Sequence, residues 1–406
     1  MINYIKNFLD VDCNSINRLD ELKDQLGISY SITDNLVIFS YSQIDSPKTD
    51  PIVRMSRGIV LEKDTWNIVS MPFYRFYNFE EVPEEREKFN WDKSVATTKV
   101  DGSLISLFNY NNKWYISSRS KISGENKVGD NIHTFMDLFK MAIEPLTFDQ
   151  FTDYLNPNYC YTFELVSPFN RIVTEYKETK IYLIGCRDRL NDFNEIQFKE
   201  IYDNFDQKLK DIILIPEIIP LVNEKGEFRG FEEMKAMANG LNQMNEGFVV
   251  TDFSHLVDGN FPRTKVKNSA YVALHHLRGT LDNGSITYHN ILNIAYKNEV
   301  DEVCACLPHY ANIIKDVQKK YNNWIEDFNK EIDSIKEYFA ISDIFNNPIL
   351  KKEFALKVKD MKYSKIYFPM LKIHSADIRA YIDMLLSTKA ADTVFKSLWE
   401  MYISKF

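Results

Sequence analysis

Short apolar and aromatic runs separated by turn-forming residues fill the chain as far as about Leu281. Their length and residue types predict strands in RGIVLE (57–62), SLISLFNY (103–110), KWYISSR (113–119), CYTFELV (160–166), KIYLIGCRD (180–188) and GFVVTDF (247–253). Asn111-Asn112 joins the second and third runs, and asparagine tolerates the positive φ of a two-residue hairpin turn. Between the strands, apolar residues recur at helical spacing in HTFMDLFKMAI (133–143) and FEEMKAMANGLNQM (231–244), which predicts helices.

After about Gly284 the apolar positions recur at steps of three and four, which predicts helices. One long helix is indicated by Ile314, Val317, Tyr321, Trp324, Phe328, Ile332, Ile335 and Phe339. Ser375 is expected to cap a helix over 376–387. A last helix is indicated by Val394, Phe395, Leu398, Trp399, Tyr402 and Ile403.

These patterns predict an α+β fold. Strands and helices that do not alternate as regular βαβ units favour largely antiparallel sheets. We therefore predict an α+β domain over residues 1–281, followed by an all-α domain over residues 282–406.

Composition narrows the class of protein. The chain has 406 residues and a net charge of −9, which argues against a general nucleic-acid coat. No apolar run approaches the roughly 20 residues of a membrane helix, and the N-terminus lacks the pattern of a secretory signal. Five scattered cysteines are expected to be free thiols. We therefore expect no membrane association and a cytoplasmic location, in the host cell if a phage encodes the chain.

The stretch Lys351–Lys372 is locally basic, with seven lysines against Glu353 and Asp360 and with aromatic residues between them. Basic residues among aromatic ones can hold a phosphate backbone and stack on bases. A solvated helix face over an apolar core explains the same pattern, and the sequence favours that alternative for this run taken alone.

A set of charged residues, together with one glycine, occurs in or next to the predicted strands, in the following order along the chain. It consists of Arg57 at the start of RGIVLE, Arg75 in MPFYRFYNF, Lys99 with Asp101 and Gly102 in TTKVDGSL, Arg119 after the hairpin, Glu164 inside YTFELV, Glu246 before GFVVTD, and Lys265 and Lys267 in PRTKVKNSAY. Each has a simpler explanation when taken singly, such as a surface cation or lysines that protect an edge strand. Glu164, between Phe163 and Leu165, must face solvent, a cation or a ligand, because an unpaired buried carboxylate is costly.

Taken together, the set suits one chemistry, in which a lysine is the nucleophile, cations bind a polyphosphate, and carboxylates bind a sugar hydroxyl and a metal ion. A lysine amine attacks only when neutral, and nearby cations and desolvation favour the neutral form. Lys265, Lys267 and a Mg²⁺ ion held by Glu246 would provide these effects near Lys99. Gly102 would permit a tight turn beside the nucleotide. Asp101 could orient Lys99 or hold metal-bound water, and the sequence leaves both roles open.

The ordered motifs resemble those of the covalent nucleotidyltransferase superfamily of polynucleotide ligases and capping enzymes. Within it they resemble the ATP-dependent, tRNA-repairing RNA ligases of T-even bacteriophages, the RNA ligase 1 family. The matching phrases run from Arg57 to His276 and are SRGIV, MPFYRFYNF, KVDGSLIS, FELVSPFNRIV, EGFVV and KVKNSAYVALH. The resemblance implies an adenylyltransferase domain over 1–281, including an N-terminal extension. It also implies an RNA-specificity role for the helical domain over 282–406.

The resemblance implies a three-step reaction with ATP and Mg²⁺ (or Mn²⁺). Lys99 would become lysyl-AMP, the AMP would pass to an RNA 5′-phosphate, and a 3′-hydroxyl would displace it. Glu164 would bind the ribose and Glu246 would act through the metal. Arg57, Arg75, Lys265 and Lys267 would contact the phosphates, and Tyr271 would line the pocket.

Two positions depart from the family pattern, because Arg75 and Arg119 stand where lysines are expected. Both keep the positive charge, but a guanidinium binds phosphate in a different geometry. Asp301 and Glu302 resemble an acidic pair that assists metal binding. The implied substrate is RNA, in particular tRNA with a broken anticodon loop, and the implied functional partner is a polynucleotide kinase/phosphatase.

Two alternatives remain at this point. A DNA ligase or capping guanylyltransferase would usually carry a five-stranded oligonucleotide-binding barrel after the lysine pair, where this sequence predicts helices. A non-catalytic RNA-binding protein on a ligase fold would be expected to have lost the lysine or a carboxylate. Because Lys99, Glu164, Glu246, Lys265 and Lys267 are all present, an active RNA ligase is the favoured prediction.

Overall fold

The structure is a computed structural model. It describes residues 1–10, 15–42, 46–86, 88–129, 131–222, 226, 229–278, 287–336, 347–372, 377–387 and 389–406. The chain forms two compact units, Met1–Val272 and Ala273–Phe406. The predicted boundary between residues 281 and 282 lies outside the described residues.

Fourteen strands are described, all in the first unit. They are β1 Ile28–Thr33, β2 Leu36–Tyr41, β3 Arg57–Glu62, β4 Ile68–Ser70, β5 Ser94–Thr98, β6 Ser103–Tyr110, β7 Lys113–Ser117, β8 Tyr159–Val166, β9 Lys180–Asp188, β10 Asn194–Ile196, β11 Ile213–Leu214, β12 Ile218–Ile219, β13 Gly247–Asp252 and β14 Arg263–Lys267. They form three sheets in which all pairs but one are antiparallel. The predicted antiparallel α+β character of this part is thereby confirmed.

Helices cover the sheets of the first unit. They are α1 Tyr4–Leu9, α2 Ser15–Leu26, α3 Pro51–Met55, α4 Pro83–Arg86, α5 Phe135–Ala142, α6 Phe148–Asp153, α7 Phe198–Asp203, α8 Gln207–Lys210 and α9 Phe231–Asn239. Helix α10, Ser269–Arg278, begins in the first unit and ends in the second.

The first sheet has the strand order β1-β2-β3-β4, and every residue of β2 is buried. Val37 and Phe39 point to one face and pack with α1, α2 and α3. Leu36 and Ile38 point to the other face and pack with Phe108 of β6 and Cys160 of β8. Because successive side chains of a strand alternate in direction, a strand that is apolar throughout is covered on both faces.

The second sheet has the order β10-β9-β8-β6-β7, with β11 pairing in parallel with β9. The β6–β7 hairpin turns at Asn111 and Asn112, whose φ values of 51° and 59° confirm the predicted turn. Residues of α5 to α8 close the core beneath this sheet around Phe139, Phe151 and Phe163.

The third sheet has the order β12-β5-β13-β14 and packs on α9 through Met234 and Ala238. Its central strands β5 and β13 are far apart in sequence but adjacent in space. This pairing positions the site, because it brings Lys99 after β5 next to Glu246 before β13.

The second unit contains helices throughout its described residues, as predicted. After α10 they are α11 Tyr288–Tyr296, α12 Val300–Cys306, α13 Ala311–Lys336, α14 Pro348–Val358, α15 Ser364–Lys372, α16 Ile378–Leu386 and α17 Ala391–Met401. The apolar face predicted for the long helix is buried in α13 from Ile314 to Ile335, and Phe339 lies outside the described residues. Ser375 also lies outside them, and the cap of α16 is Asp377. Ile403, predicted in the last helix, falls in a short 3-10 turn after it.

The basic stretch lies on α14 and α15. Its described lysine side chains, at positions 351, 352, 357, 359, 362 and 365, are exposed. Phe354, Tyr363 and Tyr367 are buried, whereas Phe368 is exposed. Three of the four aromatic residues therefore belong to the helical core and are not available to stack on bases.

Two further expectations concern membranes and cysteines. No described helix has both the length and the apolar character needed to span a bilayer. Cys160, Cys186, Cys304 and Cys306 are free cysteines, and Cys13 lies outside the described residues.

Candidate active site

Three strand ends meet around Lys99. Thr98, the last residue of β5, lies opposite Phe248 of β13, and Gly247 lies opposite Lys267 of β14. The backbone N–H of Lys99 donates to the Gly247 carbonyl at 2.8 Å. Lys99, Glu246 and Lys267 are thereby brought to one edge of the third sheet.

Glu246 bridges two lysines at this edge. Its Oε2 lies 2.5 Å from Lys99 Nζ and its Oε1 lies 3.0 Å from Lys267 Nζ. The Glu246 side chain is 7% exposed, whereas Lys99 and Lys267 keep 21% and 30% of their side-chain surface exposed. A buried carboxylate therefore holds two ammonium groups that solvent and ligands can reach.

The protonation of Lys99 follows from these contacts. Burial acts to lower its pKa, but the charges of Glu246 and then Glu164 act in the opposite direction and prevail, so that the pKa is raised. Burial likewise acts to raise the pKa of Glu246, yet Lys99 and Lys267 bring it below its ordinary value. The predicted assistance from neighbouring cations is thus outweighed by the carboxylates in this structure. Lys99 is therefore held as an ammonium ion in this structure.

Glu164 faces the site from the second sheet, where it lies opposite Leu104 in the β6–β8 pair. Its Oε1 accepts a hydrogen bond from the Gly102 N–H at 3.1 Å. Burial raises the pKa of Glu164 to about 7, with Lys99 acting against this shift and Glu246 adding to it. The carboxyl group therefore titrates close to neutral pH.

Asp101 serves as an anchor for the loop that carries Lys99. Its Oδ2 accepts from the backbone N–H groups of Val173 and Thr174 at 2.9 and 2.7 Å, and its Oδ1 accepts from the Tyr271 hydroxyl at 2.7 Å. With three donors on its carboxylate, the 5% exposed Asp101 has the geometry of a structural clamp. Tyr271 is 2% exposed and contributes through this hydrogen bond, and it is not among the residues that line the cleft described below.

Two glycines permit the close approach of backbones here. A Cβ on Gly102 would lie 2.5 Å from the Leu165 carbonyl oxygen of β8, and one on Gly247 would lie 2.2 Å from the Val266 carbonyl oxygen. Gly247 also has a φ of +125°, which L-residues rarely adopt. The requirement for Gly102 comes from the adjacent strand, since its own φ lies outside the left-handed region.

A cationic group surrounds the ring of Phe76. Arg57, Arg263 and Lys265 lie 5.2, 5.8 and 4.6 Å from its centroid. Burial, followed by the nearby cations Arg57, Lys99 and Lys267, lowers the pKa of Lys265 well below its ordinary value. Burial is also the main cause that lowers the pKa of Arg57. Concentrated positive charge of this kind is relieved when an anion binds.

Lys99 and several of its neighbours line one cleft of about 750 Å³, open solvent included, which we call the Lys99 cleft. Glu246, Lys265 and Lys267 are not among its lining residues. Its charged lining comprises Arg57, Lys99, Glu164, Glu195 and Arg263. Its apolar lining includes Phe73, Phe76, Leu104, Ile184, Val249 and Phe253. The mixture of apolar walls with a few charged groups suits a nucleotide.

Arg75 and Arg119 are placed differently from Arg57. Both guanidinium groups lie against the ring of Tyr41, at 4.5 and 4.4 Å from its centroid, and Arg119 Nη2 donates to the Tyr41 carbonyl at 2.6 Å. Neither residue lines the Lys99 cleft. Arg75 instead lines an adjacent cavity that shares Phe76 and Arg263 with it.

The sequence prediction missed Arg263 and the buried pair that supports it. Arg263 binds Glu195 through both terminal nitrogens, at 2.8 and 2.9 Å, and Glu195 also binds Arg187 at 3.0 Å. Arg187 is 1% exposed. A signal was available, because Arg263 precedes Lys265 and Lys267 at the same two-residue spacing and must share their face of the strand.

Glu246 is the residue at this site best suited to hold a divalent cation, since a carboxylate oxygen is a preferred ligand of Mg²⁺. Within the described parts of the chain, no group of three or more His, Cys, Asp or Glu side chains could form a metal site without the substrate. Asp301 is exposed on α12 of the second unit, and the side chain of Glu302 is not among those that the structure describes.

Comparison with known proteins adds an independent observation. The family model described as RNA ligase matches residues 55–271, more than half of the chain and the part that contains Lys99, Glu164, Glu246 and the lysine pair. The chain belongs to the RNA ligase family. The predicted family, the ligase class and RNA as the substrate class are thereby confirmed.

Relatives of this RNA ligase occur in viruses. An RNA ligase of Rhodothermus phage RM378 is 24% identical over 397 residues, which is 86% of this chain and 88% of that protein. A protein of Autographa californica nuclear polyhedrosis virus, assigned as a bifunctional polynucleotide kinase/RNA ligase, is 27% identical over 301 residues. That match covers 69% of this chain and 39% of the baculovirus protein.

Among solved structures, an archaeal ATP-dependent RNA ligase has a TM-score of 0.45 and 15% sequence identity to this RNA ligase. The match covers 77% of this chain and 79% of that one.

Proposed function

We propose that this RNA ligase seals RNA ends with ATP through a lysyl-AMP intermediate on Lys99. In the first step the neutral Lys99 amine attacks the α-phosphorus, an N–P bond forms, the P–O bond to pyrophosphate breaks, and the nitrogen releases a proton to water. In the second step an RNA 5′-phosphate oxygen attacks the same phosphorus and the N–P bond breaks. In the third step a 3′-hydroxyl attacks the 5′-phosphorus of the adenylylated RNA, and AMP leaves with the pair of electrons of the broken P–O bond.

One observation carries the proposal: Lys99, whose Nζ lies 2.5 Å from Glu246, lines a cleft together with Glu164, Arg57 and Phe76. The amine is therefore held in place at the wall of a cleft that presents cations and a carboxylate to a bound nucleotide. Arg57, Arg263 and Lys265, which surround the ring of Phe76, would bind the phosphates. Glu164 would accept hydrogen bonds from the ribose.

Activation of Lys99 depends on the Glu246 carboxylate. While Glu246 binds Lys99, it raises the pKa of the amine and opposes attack. The residue that would hold Mg²⁺ or Mn²⁺ is also Glu246, and a divalent ion, when bound, neutralises phosphate charge during displacement. When Glu246 withdraws from Lys99, the pKa of the amine falls, because burial and the neighbouring Lys265 and Lys267 then act without an opposing carboxylate contact. The neutral amine is thereby favoured.

The test is uptake of α-labelled ATP into protein at neutral pH with Mg²⁺, with GTP and NAD as competing nucleotides. Wild-type protein is expected to take up one AMP through an acid-labile bond. Lys99→Met should abolish uptake, whereas Lys93→Met, at an exposed lysine just before the same strand, should leave it unchanged. Persistent labelling of Lys99→Met would refute the assignment, and unlabelled wild-type protein would favour a non-catalytic RNA-binding protein.

The physiological substrate we propose is tRNA cleaved in its anticodon loop, with RNA specificity residing in the helical residues 282–406 and adenylyl transfer in residues 1–281. The family resemblance and the exposed lysine face of α14 and α15 support this. Repair of such ends calls for a separate kinase/phosphatase, as the kinase named in the baculovirus relative suggests. The reaction would take place in the cytoplasm, where tRNA is used.

Replacement of Lys351, Lys352 and Lys359 by glutamine tests the role of this face. We expect weaker sealing of nicked tRNA with unchanged AMP uptake. Equal sealing by the triple variant and the wild type would remove the lysine face from the substrate interface.

A further inference from the structure

A second cavity of about 780 Å³, open solvent included, adjoins the Lys99 cleft. The two share Phe76 and Arg263 as a common wall. The second cavity is further lined by Arg54, Arg75, Glu85 and Lys88 from one part of the chain, by Val257 and Asp258 from another, and by the aromatic rings of Tyr4, Tyr74 and Phe261. All of these residues belong to the first unit.

The cavity has an unsatisfied cation in its lining. Arg75 is 7% exposed, and its buried Nη1 has no hydrogen-bond partner among the described residues. The other cations each have an ion-pair partner, since Arg54 and Lys88 both bind Glu85 at 3.0 Å and Arg263 binds Glu195. The buried Nε of Arg54 also has no hydrogen-bond partner among the described residues. A buried guanidinium nitrogen without a partner is costly, and an anionic ligand supplies what it lacks.

The remaining lining fits a nucleoside better than a bare polyphosphate. Tyr74 and Phe261 are largely buried, and Tyr4 and Phe76 are partly exposed, so that a base could stack on the aromatic walls. Asp258 Oδ2 accepts from the Tyr74 hydroxyl at 3.0 Å and its Oδ1 accepts from the Ile2 N–H at 3.0 Å. The Tyr4 hydroxyl also hydrogen-bonds Asp258. A carboxylate has about four acceptor sites, so Asp258 can still accept a ribose hydroxyl.

The arrangement of two cavities matches the shape of one intermediate. When AMP has passed to an RNA 5′-phosphate, two nucleosides are joined through a 5′,5′ pyrophosphate bridge. Such a molecule needs two neighbouring nucleoside pockets with positive charge between them. Arg57, Arg263 and Lys265 surround Phe76 at this dividing wall.

We propose that the second cavity binds the first nucleotide of the RNA strand whose 5′-phosphate receives AMP, with Arg75 on its phosphate and Asp258 on its ribose 2′-hydroxyl. This inference rests on the proposed ligase function and extends it to the site of the RNA donor strand. The 2′-hydroxyl contact would let the cavity distinguish RNA from DNA at that nucleotide.

The experiment separates the RNA step from the ATP step. Protein-AMP is prepared first, and transfer of AMP to a 5′-phosphorylated ten-nucleotide RNA is followed in a single turnover. Binding of the same RNA is measured by fluorescence anisotropy, which needs no catalysis. Three variants are compared: Arg54→Gln, which perturbs the cationic lining, Val257→Trp, which fills the cavity from a 37% exposed position, and Asp258→Asn. The control is Arg229→Gln, because Arg229 also pairs with a glutamate but lies outside both cavities.

We expect Arg54→Gln and Val257→Trp to weaken RNA binding and slow AMP transfer by about tenfold, the scale of one charge-assisted hydrogen bond, with the KM for ATP unchanged. Asp258→Asn should reduce the preference of the wild type for a ribose over a 2′-deoxyribose at the first nucleotide. A raised KM for ATP with a normal RNA step would overturn the proposal and assign the cavity to the polyphosphate. Unchanged values for all variants would overturn it as well. Failure of wild-type protein to form protein-AMP would instead count against the proposed function.

Discussion

Replacement of Glu246 by glutamine tests the central electrostatic feature of the site. Glu246 is 6% exposed and binds Lys99 and Lys267 at once. The amide keeps the size of the side chain but removes the charge, so that two ammonium groups and the nearby Lys265 lose their counter-ion. Loss of one partner of a fully buried ion pair costs about 3–5 kcal/mol. Because Lys99 and Lys267 are 21% and 30% exposed, solvent screening should reduce the loss to about 2 kcal/mol.

The loss should appear as a fall of roughly 4–8 °C in the thermal transition of the first unit, measured by scanning calorimetry at pH 7. Glu233→Gln is the matched control, because Glu233 pairs with Arg229 at a 45% exposed surface position and should contribute under about 0.5 kcal/mol. Added pyrophosphate should restore more stability to Glu246→Gln than to the wild type, since it supplies negative charge to the uncompensated cations.

The same variant changes the titration of Lys99. In the wild type the pKa of Lys99 is raised, so the stabilisation from its ion pair is present below pH 10.5 and is lost as pH rises through the folded-state pKa. Without Glu246 the pKa falls, and the alkaline rise of any residual AMP uptake should move to lower pH. A thermal transition equal to that of the wild type, or a shift of the profile to higher pH, would contradict this account of the site.

Three further predictions concern Glu164, Gly102 and Tyr271. Burial raises the pKa of Glu164 from 4.5 to about 7, so the free energy of unfolding of the wild type should fall by up to about 3 kcal/mol as the pH rises through this interval. Urea denaturation at pH 5 and pH 7.5 should show this fall in the wild type but not in Glu164→Gln. An equal change in both proteins would contradict the prediction. Gly102→Ala should lose about 1–3 kcal/mol and impair AMP uptake because of the contact with Leu165, whereas Gly230→Ala, with nothing within 4 Å, should do neither. Tyr271→Phe should lower the free energy of unfolding by about 1 kcal/mol through loss of the Asp101 hydrogen bond, and an unchanged urea midpoint would show that the two backbone donors suffice.

The strands were predictable because each leaves a local signal, whereas the principal charged residues were predictable only as an ordered set. RGIVLE, SLISLFNY and KIYLIGCRD form strands with the predicted bounds, since their alternating or continuous apolar patterns match one or two buried faces. The order of Lys99, Glu164 and Glu246 along the chain indicated a shared site, and the Lys99–Glu246 contact agrees with that expectation.

Other properties depend on partners that are remote in sequence and could not be predicted. The sequence suggested that cations would govern Lys99, but the pairing of β5 with β13 places a carboxylate against the amine. Gly102 was expected to serve a turn, whereas the backbone of β8 is what excludes a side chain. Arg57 and Arg75 were assigned to one polyphosphate. Arg57 lines the Lys99 cleft and Arg75 lines the adjacent cavity, a division that the sequence does not reveal.

The anchoring of Asp101 has a consequence for synthesis of the protein. Its carboxylate is bound by donors at Val173, Thr174 and Tyr271, and the last lies 170 residues further along the chain. A chain still emerging from the ribosome cannot complete these three anchors until Tyr271 has been made, and it cannot pair β5 with β13 or bring Glu246 to Lys99 until residues 246–252 have been made. Most of the first unit must therefore be synthesised before the surroundings of the Lys99 amine are complete.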